Sequence, residues 1–204
     1  MQLEEHHIAA LDKAETLMFH SDFCPYLELK TLLPDQTDQA RSRFRTLFTN
    51  YYGLNVGGLT DEYKNKYFNI LHSGKVFKNQ VPRFGSILRL LYKMPRKKGD
   101  RALPFSFVSK LVAIHLESSP IYDKHVLNFF GKKPPAATTA KAERIKWYVE
   151  FLNNVATDYT SWAQDPRVVP ILNRLMGRDP QLAQCHVIRR MDFLVWKVGN
   201  QKLL

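Results

Sequence analysis

The chain has 204 residues, 45% of them hydrophobic, and its thirteen Phe, nine Tyr and three Trp supply enough apolar surface for a packed core. Thirty Lys and Arg against nineteen Asp and Glu leave a formal net charge of +11, so the natural partner is a polyanion. No apolar run approaches the roughly eighteen residues of a membrane span, and two cysteines are too few for an iron–sulfur or cysteine-rich zinc site.

The first residues, MQLEEHHIAAL, carry acidic side chains where a signal peptide would carry basic ones. We therefore expect a cytoplasmic protein, present as a monomer, in which Cys24 and Cys185 stay reduced. His6 and His7 are expected to be solvated. We expect no metal and no other cofactor.

Apolar residues recur at spacings of three and four along most of the chain, which predicts an all-α fold. The chain is expected to form one domain, 1–204, with a first lobe over about 1–100, a second lobe over about 101–204 and a cleft between them. Thr60 is expected to cap a helix, and Pro82 suits a first helical turn. The predicted helices cover 40–51, 63–71, 84–91, 104–117, 123–130, 145–159, 166–176 and 187–198.

Lys110 lies inside an otherwise apolar helix, with Phe107, Ala113 and Ile114 one turn away. Desolvation there would lower the pKa of the amine, and only an unprotonated amine can attack carbon. The residues alone fit two interpretations, a nucleophile or a lysine whose head reaches water.

Asp123 follows Pro120, Ile121 and Tyr122 at the predicted start of a helix. A carboxylate at this position can accept hydrogen bonds from the exposed backbone amides. Taken alone, Asp123 fits the role of a helix cap.

Taken together, the two segments resemble the signature of the helix-hairpin-helix DNA glycosylases. Ile121-Tyr122-Asp123-Lys124-His125-Val126 is similar to the family phrase Val-Asp-x-His-Val, and Phe107-Val108-Ser109-Lys110 stands where the family has Gly-Val-Gly-x-Lys. The resemblance implies a two-lobed helical bundle, Lys110 as nucleophile and Asp123 as its carboxylate partner, with His125 structural. The hairpin glycines are absent and the gap from Lys110 to Asp123 is short, so we expect a degenerate hairpin.

The stretches SFVSKL, PIYDKHV and RRMDFLVWKVG are also similar to a compact bacterial group with an 8-oxoguanine glycosylase fold. This implies a DNA glycosylase with abasic-site lyase activity, acting through a lysine Schiff base on double-stranded DNA. The excised base would be an oxidised purine or a modified pyrimidine, including a base found only in phage DNA. Genome repair and defence against modified foreign DNA both remain open.

Two basic runs bracket the segment from Lys110 to Asp123, and solvated loops and phosphate contacts are both open for them. Two alternatives without catalysis also remain: a helical DNA-binding module, or a basic domain that binds an acidic protein. Aromatic residues available for stacking on a flipped base, although such residues are usually core, are Tyr92, Phe105, Tyr122 and Phe129. The expected DNA-binding residues are Lys93, Arg96, Lys97, Lys98, Arg101, Lys132 and Lys133, with Lys141, Arg144 and Lys146 further along the second run.

Overall fold

A computed structural model describes residues 1–55, 58–73, 77–78, 81–97 and 102–204. Within those ranges the regular structure consists of eleven α-helices and one antiparallel pair of two-residue strands. The predicted all-α class is confirmed. None of the helices described there is both long and apolar enough to cross a membrane.

The chain divides into two compact units at places other than the expected lobe boundary. The terminal unit consists of residues 1–23 and 116–204, and the middle unit of residues 24–115. The first 23 residues thus group with the C-terminal part, and the segment that carries Lys110 groups with the middle of the chain.

The middle unit is built around aromatic side chains that share one face of neighbouring helices. The ring of Phe48 lies 5.5 Å from that of Phe44, 5.9 Å from Tyr67 and 5.8 Å from Phe68. The predicted cap is present, since the Thr60 hydroxyl accepts a hydrogen bond from a backbone amide one turn later. The elements are α2 (His20–Leu32, within which the unit begins), α3 (Asp38–Tyr51), α4 (Asp61–His72), β1 (Phe77–Lys78), β2 (Val81–Pro82), α5 (Phe84–Tyr92) and α6 (Phe105–His115).

The terminal unit is organised around its last helix, which packs against four others in the unit. The elements are α1 (Glu5–Thr16), α7 (Lys124–Phe129), α8 (Lys141–Trp162), α9 (Val169–Arg178), α10 (Pro180–Gln184) and α11 (Val187–Gln201). Helix α11 contacts α1, α7, α8 and α9. Met191, Leu194, Val195 and Val198 are buried along it. The C-terminal helix therefore packs on the core of the terminal unit.

Three local expectations were wrong or incomplete. Pro82 lies in β2 rather than in the first turn of a helix, and Arg83 separates it from the start of α5 at Phe84. His7 is buried, because it sits at the third position of α1 and its Nδ1 accepts a hydrogen bond from the Glu4 amide. Helices α1, α2 and α10 were not predicted.

Candidate functional site

Lys110 lies on α6, where most neighbouring positions are buried in the middle unit. Its side chain is half-buried. The Nζ atom donates a hydrogen bond of 3.3 Å to the carbonyl oxygen of Tyr52 and lies 5.7 Å from the centre of the Tyr52 ring. A carbonyl oxygen and an aromatic face both favour a positive charge on the amine. Tyr52 therefore fixes the position of the Lys110 amine.

Asp123 is the N-cap of α7, as its place in the sequence predicted. Its Oδ1 accepts hydrogen bonds from the backbone amides of His125, at 2.9 Å, and Val126, at 3.0 Å. No described residue donates a hydrogen bond to Oδ2. One carboxylate oxygen therefore fixes the side chain on the helix, while the other is available to a bound cation or water. Asp123 belongs to the terminal unit and Lys110 to the middle unit.

A buried ion pair supports the backbone just before Asp123, and sequence analysis missed it. Arg189 and Asp192 of α11 pair with each other, although they are 0% and 4% exposed. Arg189 also donates a hydrogen bond of 2.9 Å to the carbonyl oxygen of Ser119. The Ile121 amide donates to both carboxylate oxygens of Asp192, at 3.3 and 3.1 Å. The signal in the sequence was an Arg and an Asp three residues apart on the apolar face of a helix.

Burial raises the pKa of Asp192 to about 7, although the adjacent Arg189 opposes the shift. The nearby Asp123 carboxylate raises the pKa of Asp192 further, because two like charges disfavour each other's ionisation. Burial also raises the pKa of the Tyr159 hydroxyl on α8, and both carboxylates add to that effect. Asp123, Asp192, Tyr159 and Arg189 therefore form one electrostatic cluster inside the terminal unit.

The start of α7 also lies very close to the end of α11. A methyl group on Gly199 would come within 2.7 Å of the His125 Cβ and 2.8 Å of its Cα and carbonyl oxygen. The His125 ring packs at a distance of 5.8 Å on Trp196, which is partly exposed. Only glycine at position 199 allows this approach of the two helices.

The positive charge of the chain is concentrated in one unit. The middle unit has sixteen Lys and Arg against six Asp and Glu, a net charge of +10. The terminal unit has fourteen against thirteen, a net charge of +1. A polyanion that responds to the net charge of this protein is therefore attracted mainly by residues 24–115.

The first basic run is partly anchored rather than a free loop. Thr60 donates a hydrogen bond to the Pro95 carbonyl oxygen, Arg96 pairs with Leu59 in an isolated bridge, and the Lys97 amide donates to the Gly58 carbonyl oxygen at 2.8 Å. Lys93 and Lys97 are exposed and Arg96 is half-buried. The remaining two expected residues of this run, Lys98 and Arg101, lie outside the described residues.

The second basic run belongs to the terminal unit. Lys132 and Lys133 are exposed just after α7, and Lys141 and Lys146 are exposed on α8. Arg144 is half-buried and reaches the Ala137 carbonyl oxygen at 3.5 Å. The two basic runs therefore belong to different units.

Three of the four aromatic residues considered for base stacking are core residues. Phe105, Tyr122 and Phe129 are buried, and Tyr92 is half-buried. Tyr122, the residue before Asp123, lies edge-on to the rings of Tyr148 and Phe151 on α8. The spacing of these residues reflects packing, which is the usual reason for aromatic residues at helical intervals.

Glu4, His6 and His7 form the one group of potential metal ligands found among the described residues. The helix cap already accounts for two of them, because the Glu4 side chain accepts from the His7 amide while His7 Nδ1 accepts from the Glu4 amide. These two hydrogen bonds close the N-terminal cap of α1.

Comparison with known proteins finds no matching family model, no matching curated protein and no matching solved structure. The resemblance to the helix-hairpin-helix glycosylases therefore stays a prediction based on the two motifs.

Proposed function

We propose that the protein is a DNA glycosylase with abasic-site lyase activity, with Lys110 as nucleophile and Asp123 as the essential carboxylate. The observation that carries the proposal is the geometry of Asp123. Its Oδ1 is fixed by two amides of α7, and its Oδ2 accepts no hydrogen bond from a described residue. A carboxylate held in this way can stabilise positive charge without reorganising when that charge develops.

The chemistry begins with extrusion of the target base, because the sugar carbon cannot be reached while the base is stacked. The bond between C1′ and the base nitrogen breaks, its electron pair leaves with the base, and the base takes up a proton. Asp123 stabilises the oxocarbenium-like sugar. The neutral Lys110 amine attacks C1′, and the excess proton on its nitrogen passes to the ring oxygen as the sugar ring opens to a protonated Schiff base. Solvent water then takes a proton from C2′, and the 3′ phosphate leaves with the electron pair of its bond to C3′, so that β-elimination nicks the strand.

The charge distribution supports double-stranded DNA as the partner. A net charge of +10 in residues 24–115 suits contacts to phosphates, which supply affinity without sequence preference. The exposed Lys93 and Lys97 contribute to this surface. The target is a damaged or modified base, of the 8-oxoguanine type or a modified base of foreign DNA.

A second candidate function is a helical DNA-binding module without catalysis. It is favoured by the hydrogen bond from Lys110 to the Tyr52 carbonyl oxygen, which gives the amine a partner within the middle unit. The glycosylase proposal requires that bound DNA take Lys110 away from Tyr52. A basic domain that binds an acidic protein is the third alternative, and weak salt dependence on DNA would favour it.

The decisive experiment is borohydride trapping on a duplex with an abasic site, followed by excision assays on a panel of modified bases. Lys110→Gln should lose both trapping and nicking while it keeps most of the DNA affinity. Lys30→Gln is a matched control, because Lys30 is also half-buried in the middle unit and donates to a carbonyl oxygen, that of Ile114. Trapping by Lys110→Gln at the wild-type rate would overturn the assignment of the nucleophile. A wild-type protein that neither traps nor excises would overturn the proposed function.

A further inference from the structure

Helix α11 contacts the backbone on both sides of Asp123, two residues before it and two residues after it. We infer that Arg189, Asp192 and Gly199 of α11 are positioning residues that hold Asp123 in place. The inference deepens the proposed function and rests on it. Arg189 and Asp192 hold the backbone at residues 119 and 121, and Gly199 packs on His125, so their effect is exerted through the position of Asp123.

The first anchor is the buried ion pair. Asp192 accepts two hydrogen bonds from the Ile121 amide, and Arg189 donates one to the Ser119 carbonyl oxygen. A buried ion pair is weak evidence for a role in stability, since apolar residues of similar volume often replace such pairs without loss. What apolar residues cannot replace is the hydrogen bonding that fixes residues 119 and 121.

The second anchor is the close packing of Gly199 against His125. The gap leaves no room for a methyl group, and the atoms that it would meet include the His125 backbone, which cannot move without moving α7. The His125 amide is one of the two donors to Asp123 Oδ1. A displacement at Gly199 is therefore transmitted to the hydrogen bond that orients the carboxylate.

The charges that face Asp192 come from each neighbouring element: Arg189 on α11 itself, Asp123 at the start of α7 and Tyr159 on α8. Arg189 thus serves as the positive partner in a cluster that contains two carboxylates. Removing Arg189 and Asp192 together removes the anchor without leaving a single buried charge behind.

The test compares the double variant Arg189→Met/Asp192→Leu and the single variant Gly199→Ala with the wild-type full-length chain. Single-turnover excision should slow on the order of 100-fold, as expected for a misplaced reacting group. Borohydride trapping on an abasic duplex should stay within a few-fold, because that reaction needs the Lys110 amine but no cleavage of a glycosidic bond. Both variants should therefore behave like Asp123→Asn. Gly177→Ala is the matched control, since a methyl group there meets nothing within 4 Å.

Amide hydrogen exchange separates positioning from folding. The Ile121 amide should exchange faster in the double variant, and the His125 and Val126 amides faster in Gly199→Ala, while amides in α8 keep their protection. Wild-type excision rates, or unchanged exchange at these amides, would overturn the inference. Loss of trapping together with excision would also overturn it, because that outcome indicates general unfolding. Failure of the proposed function can be distinguished from failure of this inference. In the first case the wild-type protein itself is inactive, and amide exchange still shows whether α11 fixes the backbone around Asp123.

Discussion

Substitutions at Asp123 should separate catalysis from stability, because the two oxygens of its carboxylate do different things. Oδ1 accepts two backbone hydrogen bonds at 2.9 and 3.0 Å, and Oδ2 accepts none from the described residues. Asparagine retains a side-chain oxygen that can accept the same two bonds, whereas alanine does not. Asp123→Asn and Asp123→Ala therefore differ in the cap but both lack the charge.

The expected loss of stability follows from the cap. Removing an N-cap side chain costs about 1 kcal/mol, and asparagine caps nearly as well as aspartate. For a chain of this size, about 1 kcal/mol corresponds to a fall in Tm of roughly 2–4 °C. Asp123→Ala should show this fall, while Asp123→Asn should melt close to the wild-type temperature.

The expected loss of activity follows from the missing charge and is the same in both variants. Removing a preorganised electrostatic group typically costs about 100- to 1000-fold in rate. Single-turnover excision on the modified duplex, measured beside melting curves and DNA binding, gives the comparison. Excision by Asp123→Asn at the wild-type rate would refute the role of the carboxylate charge. If Asp123→Ala then excised more slowly than Asp123→Asn, the only function of Asp123 would be to cap α7.

Two further predictions concern charges away from Asp123. The double variant Lys93→Ala/Lys97→Ala should lower the slope of log affinity against log salt by about 2, because each lysine contacts one phosphate. The matched double variant Lys132→Ala/Lys133→Ala, in the near-neutral terminal unit, should lower this slope less. Equal changes in a salt titration would contradict the assignment of phosphate binding to the middle unit. Glu15 is only 3% exposed and accepts hydrogen bonds from Arg174 and Arg178. In urea unfolding, Glu15→Ala should therefore lower the free energy of unfolding by about 1.5–3 kcal/mol. Asp12→Ala breaks an exposed pair with Arg174 and should lower it by less than about 1 kcal/mol.

The sequence predicted those parts of the fold that depend on local patterns. Helices α3, α4, α5 and α11 show clear apolar stripes, and the caps at Thr60 and Asp123 follow from residue type and position. Helix α2 escaped prediction because Pro25 lies inside it, and a proline in that position normally argues against a helix.

The division into units and the support of Asp123 could not be predicted, because both depend on contacts between distant parts of the chain. Nothing in residues 1–23 indicates that α1 packs on α11. The spacing of Arg189 and Asp192 on α11 is compatible with an ion pair, but the sequence does not show that both members are buried. Charged residues are rarely buried unless they are paired, and local spacing does not show which pairs become buried.

The last prediction concerns pH, and it follows from the raised pKa of Asp192. Between its ordinary pKa of 3.8 and the folded value of about 7, Asp192 binds a proton in the folded state but not in the unfolded state. The free energy of unfolding must therefore decrease as pH rises through this window, by at most about 1.4 kcal/mol per pH unit. His7, which burial gives a lowered pKa, acts in the opposite direction below its ordinary pKa of 6.5, because the unfolded state then binds the extra proton.

Comparison of wild type with Asp192→Asn removes the histidine contribution, because both proteins contain the same histidines and distant sites add independently. The stability of the wild-type protein relative to the variant should fall between about pH 4 and pH 7 and level off above that range. Urea unfolding at half-unit intervals of pH measures the difference. If the two curves run parallel, Arg189 rather than burial decides the charge of Asp192, and Asp192 is then ionised beside Asp123 throughout the range.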